Sequence, residues 1–298
     1  MTELPVTPAR YPWRLVGGAT VLLLLAMFVS GLLTNPAWDW KTFSEWLFEK
    51  SIMNAVLLTL QLTLFGGVIG FAGGVVLAMM RLSSNPILRA TSWSYVWLFR
   101  SIPLIVQLLF WGNISYLYST LSIGIPFGPS FAEIPTLHLI SGVGAAIIGL
   151  SLHESAYAAE IVRSGILSVD QGQLEAGTAL GIPKFRQFRR IIFPQAMRTI
   201  LPNAANLIIS LLKGTSVVYV LAIGELFYQV QVIYGGSGQI VPLLMVASVW
   251  YVILVSVMSV GQFYLERHFS KGALRTLPPT PLQKLRMQMT TLTKLGAR

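Results

Sequence analysis

Residues 15–33, 52–80, 101–132 and 226–265 contain no Asp, Glu, Lys or Arg. Runs of that length constrain the fold severely. About 20 apolar residues cross the hydrocarbon core of a bilayer as a helix, and backbone groups there must be satisfied within the protein, which makes α-helices the natural solution. Composition agrees: 54% of residues are hydrophobic and 11% are charged, against about 25% charged in soluble domains. The chain reads as an all-α integral membrane protein of about six transmembrane helices, at roughly 15–34, 53–80, 101–120, 138–161, 200–223 and 241–264. The first is too long and starts too late for a cleaved signal, and no small-residue cleavage pattern follows it. It is expected to persist as an additional anchor helix.

Orientation follows from the cations. With a cytoplasmic N-terminus, 18 of the 21 Lys and Arg residues fall on inside segments, and only Lys41 and Lys50 fall outside. Inside loops carry the Lys and Arg excess, so both termini and the long loop 164–199 are expected in the cytoplasm. The distribution also accounts for the net charge of +10 without a nucleic-acid partner. The expected organisation is a cytoplasmic segment 1–14, the extra helix 15–34, a transmembrane domain 50–268 containing the loop 164–199, and a basic tail 269–298 drawn to anionic membrane lipid. The chain has no cysteine, which excludes disulfides, thiolate metal sites and cysteine nucleophiles.

Gly66, Gly70 and Gly74 recur at four-residue spacing in the second span. Small residues on one face let membrane helices approach closely, either within the chain or at a dimer seam. Pro103 and Pro202 are read as lying near the starts of spans, where proline is tolerated. Glu154, Glu160 and Lys213 lie in or near spans, where charge is costly and usually functional. Glu160 and Arg163 stand at helical i,i+3 spacing and are expected to form a structural ion pair, with Arg100 a further candidate for such pairing. Lys213, midway along its expected span, would pair with Glu154 or Glu160 or attract a substrate carboxylate. Glu154, Tyr157 and Gln107 are the other candidates for the substrate path. His153-Glu154-x-x-Tyr157 lacks the second histidine of a zinc helix, so no metal site is expected.

The loop before the fifth expected span is different in kind. Residues 171–180 have helical composition, Gly181 can stop that helix, and Pro183 can start a second one over 184–192. Two short helices then turn at Gly181-Ile182-Pro183, with basic residues on the second.

This loop resembles the Glu-Ala-Ala signature of permease subunits of ATP-binding-cassette importers: Glu-Ala-Ala, three residues, Gly, nine residues, Ile-x-Leu-Pro. The matching residues are Glu175, Ala176, Gly181, Ile191 and Pro194, with Gly177 in place of the second alanine and Phe193 in place of leucine. Residues 99–107, 156–161, 193–198 and 212–216 are similar to segments of the polar amino-acid uptake subfamily, so the resemblance covers about 50–270. It departs at Gly214, where relatives commonly carry an acidic residue, and at Leu207, where an acidic residue commonly follows the asparagine. The resemblance implies a type I importer permease in the bacterial inner membrane, paired with a second copy or a paralogue. It implies an extracytoplasmic binding protein that delivers an amino acid, and a cytoplasmic ATPase that receives the loop through Glu175, Ala176, Gly177, Gly181, Ile191 and Pro194. ATP and magnesium would be bound by that partner, since the chain contains no phosphate-binding Gly-x-x-x-x-Gly-Lys-Ser/Thr motif; this chain would need no cofactor and would not itself be an enzyme. The alternative from another class is an ion-coupled secondary amino-acid transporter, which would need its own coupling site and often an internal repeat. No repeat between the halves is evident.

Overall fold

Backbone in hydrocarbon bonds to itself, and the apolar runs accordingly form long helices. The computed structural model describes residues 12–125, 128–140 and 142–269. The segment before residue 12 and the tail from 270 onward, which held the expected termini, lie outside the described residues.

Helix α1 (Pro12–Thr34) stands clear of the bundle, with every described side chain exposed except the partly covered Leu32. It is tied to the rest where the Trp40 indole donates to the Leu32 carbonyl at 3.0 Å. Helix α2 (Trp40–Leu47) follows, capped by Asp39, whose carboxylate accepts from the Thr42 amide and hydroxyl. Helix α3 (Lys50–Leu82) then crosses the molecule.

The third expected span, 101–120, is occupied by two short helices, and a further helix is bent away just ahead of it. Helices α4 (Pro86–Ser101) and α5 (Leu104–Gly112) meet at 102°. Proline disfavours the helical conformation for the residue before it, and Ile102 is extended ahead of Pro103. The carbonyls freed at the break are not left bare: the Gln107 amide donates to Phe99 and Ile102, each at 2.8 Å. Pro103 thus caps the second half of a broken element.

Beyond α5 come the single turn α6 (Ile114–Leu117), strands β1 (Thr120–Gly124) and β2 (Ser130–Pro135), and the turn α7 (Thr136–Leu139). The strands form an antiparallel hairpin, with Thr120 opposite Pro135 and Ile123 opposite Ala132. The hairpin lies between the third and fourth expected spans and leaves the all-α class intact. The 101–132 run is charge-free, but its end is punctuated by Gly124, Pro126, Gly128 and Pro129, which favour turns over helix.

Helix α8 (Gly142–Leu167) is the central element. Its 26 residues are enough to cross a bilayer, although His153, Glu154, Glu160 and Arg163 dilute its apolar character. After α8 come α9 (Gln171–Ala179), α10 (Lys184–Gln187), a π turn over Phe188–Ile192, and α11 (Phe193–Gly214). A 3-10 segment (Thr215–Leu221), α12 (Leu226–Ser237) and α13 (Ile240–Phe269) complete the described chain. Among the described residues four helical stretches are long and apolar enough to cross a membrane, five when the bent α4–α5 pair is taken as one. Two expectations change here. Pro202 lies inside α11, and Lys213 sits in that helix's last turn, not at its middle.

The glycines of α3 are resolved in favour of packing within the chain. An added Cβ would lie 3.2 Å from the Leu150 Cβ at Gly66 and 2.7 Å from the Glu154 Cβ at Gly70, and at Gly74 it would collide with the Ala158 methyl. Gly66, Gly70 and Gly74 therefore meet Leu150, Glu154 and Ala158 at matching four-residue spacing along α8. Tyr95 ties α4 to this pair by hydrogen bonding to the Leu152 carbonyl at 3.0 Å and the Ser155 hydroxyl at 2.7 Å. Three apolar clusters are stacked along the bundle: one around Trp250 and Leu226, one around Leu62 and Leu150, and one around Val162 and Ile200 beside α9.

Candidate functional site

The segment between α8 and α11 is built around one backbone device. Asp170 starts α9 by accepting the Gly172 amide at 2.8 Å. The helix stops at Leu180, and Gly181 follows with φ +66°. The Gly181 amide donates to Thr178 and the Ile182 amide to Gly177, both at 3.0 Å, which is the paired closure of a Schellman motif. Pro183 then begins α10, and the Gln187 amide donates across the turn to the Leu174 carbonyl at 2.6 Å. The result is a braced knuckle and not a slack loop. Its tip is apolar: Leu180 is 78% and Phe185 75% exposed. Lys184, Arg186, Arg189 and Arg190 are exposed around Phe185.

The named loop residues divide by burial. Glu175 and Ala176 are exposed on the outer face of α9, while Gly177 is buried beneath Gln187. Ile191 is half-buried within the π turn, and Pro194 is exposed at the start of α11. The expected second helix over 184–192 is one α turn plus this π turn, which runs without a break into α11. A π turn inserts one residue into the helical ladder and frequently marks a functional site. Here it joins the knuckle directly to a membrane-length helix.

The candidates within the bundle do not form one cluster. Glu160 and Arg163 pair at 2.8 Å. The Arg100 guanidinium lies 5.2 Å from the centre of the Tyr157 ring, within cation–π reach. Arg100, Tyr157 and Glu160 line a cavity of about 350 Å³ together with Arg81 and the stacked indoles of Trp93 and Trp97. Gln107 is buried at the α4–α5 break, 3.2 Å from His153 Nδ1. Glu154 is 6% exposed, held against α3, and its Oε2 has no hydrogen-bond partner among the described residues. Lys213 is exposed and makes no ion pair with Glu154 or Glu160.

Two structural residues escaped sequence reasoning. Gln187 sits in a basic run that gives no sign of its bridging bond. Glu225, fully buried, caps α12 by accepting from Phe227 and Tyr228 at 3.0 and 2.7 Å. Its signal was available, as an acid after Gly224 and before an apolar run is an N-cap pattern.

Membrane-length helices packed through glycine, with a braced helical knuckle continuous with one of them, make this a multi-helix membrane protein. Residues 70–271 match the family described as binding-protein-dependent transport system inner membrane component. An arginine transport system permease protein of Corynebacterium glutamicum is 44% identical over 280 residues, covering 93% of this chain and 87% of that protein. A probable amino-acid permease protein of Bacillus subtilis is 35% identical over 76% of this chain and 96% of its own length. Among solved structures, the crystal structure of an amino acid ABC transporter with histidines is similar at 30% identity and a TM-score of 0.62, covering 73% of this chain and 94% of that one. The chain belongs to the binding-protein-dependent transport system inner membrane component family, as an ABC importer permease of the polar amino-acid subfamily and a multi-pass protein of the bacterial inner membrane.

Proposed function

We propose that this permease imports a polar amino acid, drawing its power from a separate cytoplasmic ATPase that grips the knuckle between α9 and α10. The observation that carries the reading is the exposed pair Leu180 and Phe185 on a turn locked by Gly181. Apolar side chains at the tip of a rigid element, ringed by cations, fit a groove with an apolar floor and an acidic rim. Glu175 and Ala176 present the adjoining face of α9 to the same partner. Because the π turn and Pro194 connect the knuckle to α11 without a gap, a push on the knuckle becomes a displacement of a membrane helix. Alternating access is largely rigid-body motion of this type. The cation asymmetry supports placing the knuckle in the cytoplasm.

An extracytoplasmic binding protein delivers substrate at the opposite end, and a second copy or paralogue completes the conduit. Names of relatives bear on the cargo: with an arginine permease at 44% identity, a cationic amino acid is the first substrate to test.

The test is Gly181→Val. Space is open around position 181, so the damage comes from the backbone, where a side chain in the left-handed region costs about 1–2 kcal/mol. Assembled with its ATPase and binding protein in liposomes, the variant should insert normally and hydrolyse ATP while uptake falls. Uptake equal to wild type would remove the knuckle from the coupling path.

A further inference from the structure

Arg81, in the last turn of α3, has a buried nitrogen, Nη1, with no hydrogen-bond partner among the described residues. It lines the cavity of about 350 Å³ with Trp93, Trp97, Arg100, Tyr157 and Glu160. Helices α3 and α8 run parallel, since Gly66, Gly70 and Gly74 meet Leu150, Glu154 and Ala158 in the same order. The last turn of α3 and the cavity therefore lie toward the end of the bundle that carries the knuckle. A second cation faces the same space, with the Arg100 guanidinium 5.2 Å from the centre of the Tyr157 ring. The acid that lines it is already engaged, because Glu160 accepts from Arg163 Nε at 3.1 Å and Nη2 at 2.8 Å.

Two guanidiniums lining one cavity repel each other, and burial raises the cost of a charge left unpaired. The chain does not compensate them: among the described residues neither Arg81 nor Arg100 has a carboxylate within ion-pair distance. An anion in the cavity would. The guanidinium fork matches the oxygens of a phosphate group, which can accept from two arginines at once. The other wall selects among phosphates. Trp93 and Trp97 stack with ring centres 6.1 Å apart and planes within 5°, yet they are 52% and 58% exposed. Indoles, with an apolar body and a polar N–H, settle at the headgroup level of a bilayer. A free phosphate would leave both rings bare, whereas a phospholipid lays its glycerol and upper acyl chains against them.

We propose that this cavity is a binding site for the phosphodiester of an anionic phospholipid, held between Arg81 and Arg100 with Trp93 and Trp97 against its glycerol. The proposal takes from the function above only the choice of leaflet, which is the cytoplasmic one. A lipid seated there joins three elements at once, touching Arg81 of α3, the indoles and Arg100 of α4, and Tyr157 of α8. Within the chain α4 is otherwise tied down nearby by Tyr95 and by the Ser92 hydroxyl, which donates to the Leu77 carbonyl at 2.7 Å. The lipid then acts as a further clamp on this helix.

The test counts retained lipid. The full transporter, assembled with its partner subunits, is equilibrated in detergent with equal amounts of dioleoylphosphatidylglycerol and dioleoylphosphatidylcholine, and the lipids that stay bound are counted by native mass spectrometry. Both carry a phosphodiester, but only the first keeps a net negative charge, so it should be retained ~10-fold over the second. Combining Arg81→Gln with Arg100→Gln should bring the two lipids to parity. Arg89→Gln, an exposed arginine of α4 outside the cavity, should preserve the preference. Equal retention of the two lipids by the wild type overturns the site without recourse to any variant. A preference that survives in the double variant places the lipid elsewhere and overturns it as well. The same count is repeated in millimolar inorganic phosphate, against chloride at matched ionic strength, and should not change. Displacement of the lipid by phosphate would make the occupant a soluble phosphate and overturn the phospholipid. Counting lipids needs neither ATP turnover nor uptake, so failure of this proposal and failure of the coupling model are separate outcomes.

Discussion

At position 177 an added methyl carbon would lie 2.5 Å from the Gln187 amide nitrogen, the group that braces the knuckle by donating to Leu174. Gly177 and Gln187 are therefore one device: the missing side chain makes room for the bridge. Gly177→Ala should push Gln187 aside and cost about 1 kcal/mol, the worth of a typical hydrogen bond. The measurement is limited trypsin cleavage after Arg186, which should accelerate. Adding Gln187→Ala to Gly177→Ala should then change little, because a bond already broken cannot be lost again. Full additivity of the two substitutions would show that they act separately. At this scale the sequence displayed the glycine as a departure from the family spacing but not its reason, since no periodicity links a residue on α9 to one beyond the turn. Gly181 was more legible: its place after a helical stretch follows directly from its freedom to adopt positive φ.

Among the elements, α3 and α8 form the seam on which the rest of the bundle is laid. Gly74→Leu should separate them, because the clash at 74 involves the Ala158 methyl and the backbone beside it, which cannot rotate away. Overpacking of this kind costs about 1–3 kcal/mol. Thermal unfolding in detergent should show a lowered midpoint, whereas Gly31→Leu on the isolated α1, where nothing lies within 4 Å, should leave it unchanged. Equal effects at both sites would contradict the packing. Charge-free length made most helices readable: the sixth expected span, 241–264, lies inside α13, and the second, 53–80, inside α3. The hairpin falls between the third and fourth expected spans, and apolarity alone did not reveal it because Ile123, Ile125 and Phe131 are apolar in either structure. The short α12 lies outside the expected spans, although Gly235, Gly236 and Gly238 mark its separation from α13. Pro103, expected near the start of a span, starts α5, and its effect on Ile102 sets α5 at 102° to α4. Polarity reports what surrounds a segment; only turn chemistry reports its path.

For the molecule as a whole, α8 fixes which features can share a side of the membrane. It begins just after the hairpin and ends just before α9, and its 26 residues span about 39 Å at 1.5 Å per residue. Under the proposed function α8 crosses the bilayer, and the hairpin and the knuckle open onto opposite aqueous compartments. The proposed function puts the knuckle in the cytoplasm, where ATP is found, in line with the bias of Lys and Arg, and the hairpin on the side where a binding protein would arrive. Ile123→Cys and Phe185→Cys test this directly, since both side chains are exposed and the parent chain has no thiol. In intact spheroplasts an impermeant maleimide should label Ile123→Cys at once and reach Phe185→Cys only after permeabilisation. The reverse pattern would place the knuckle outside, beyond reach of any ATPase, and would end the coupling model whatever the effect of substitutions at Gly181. Labelling of both positions in intact spheroplasts would mean that α8 does not span the bilayer, and the six-crossing arrangement would fail with it.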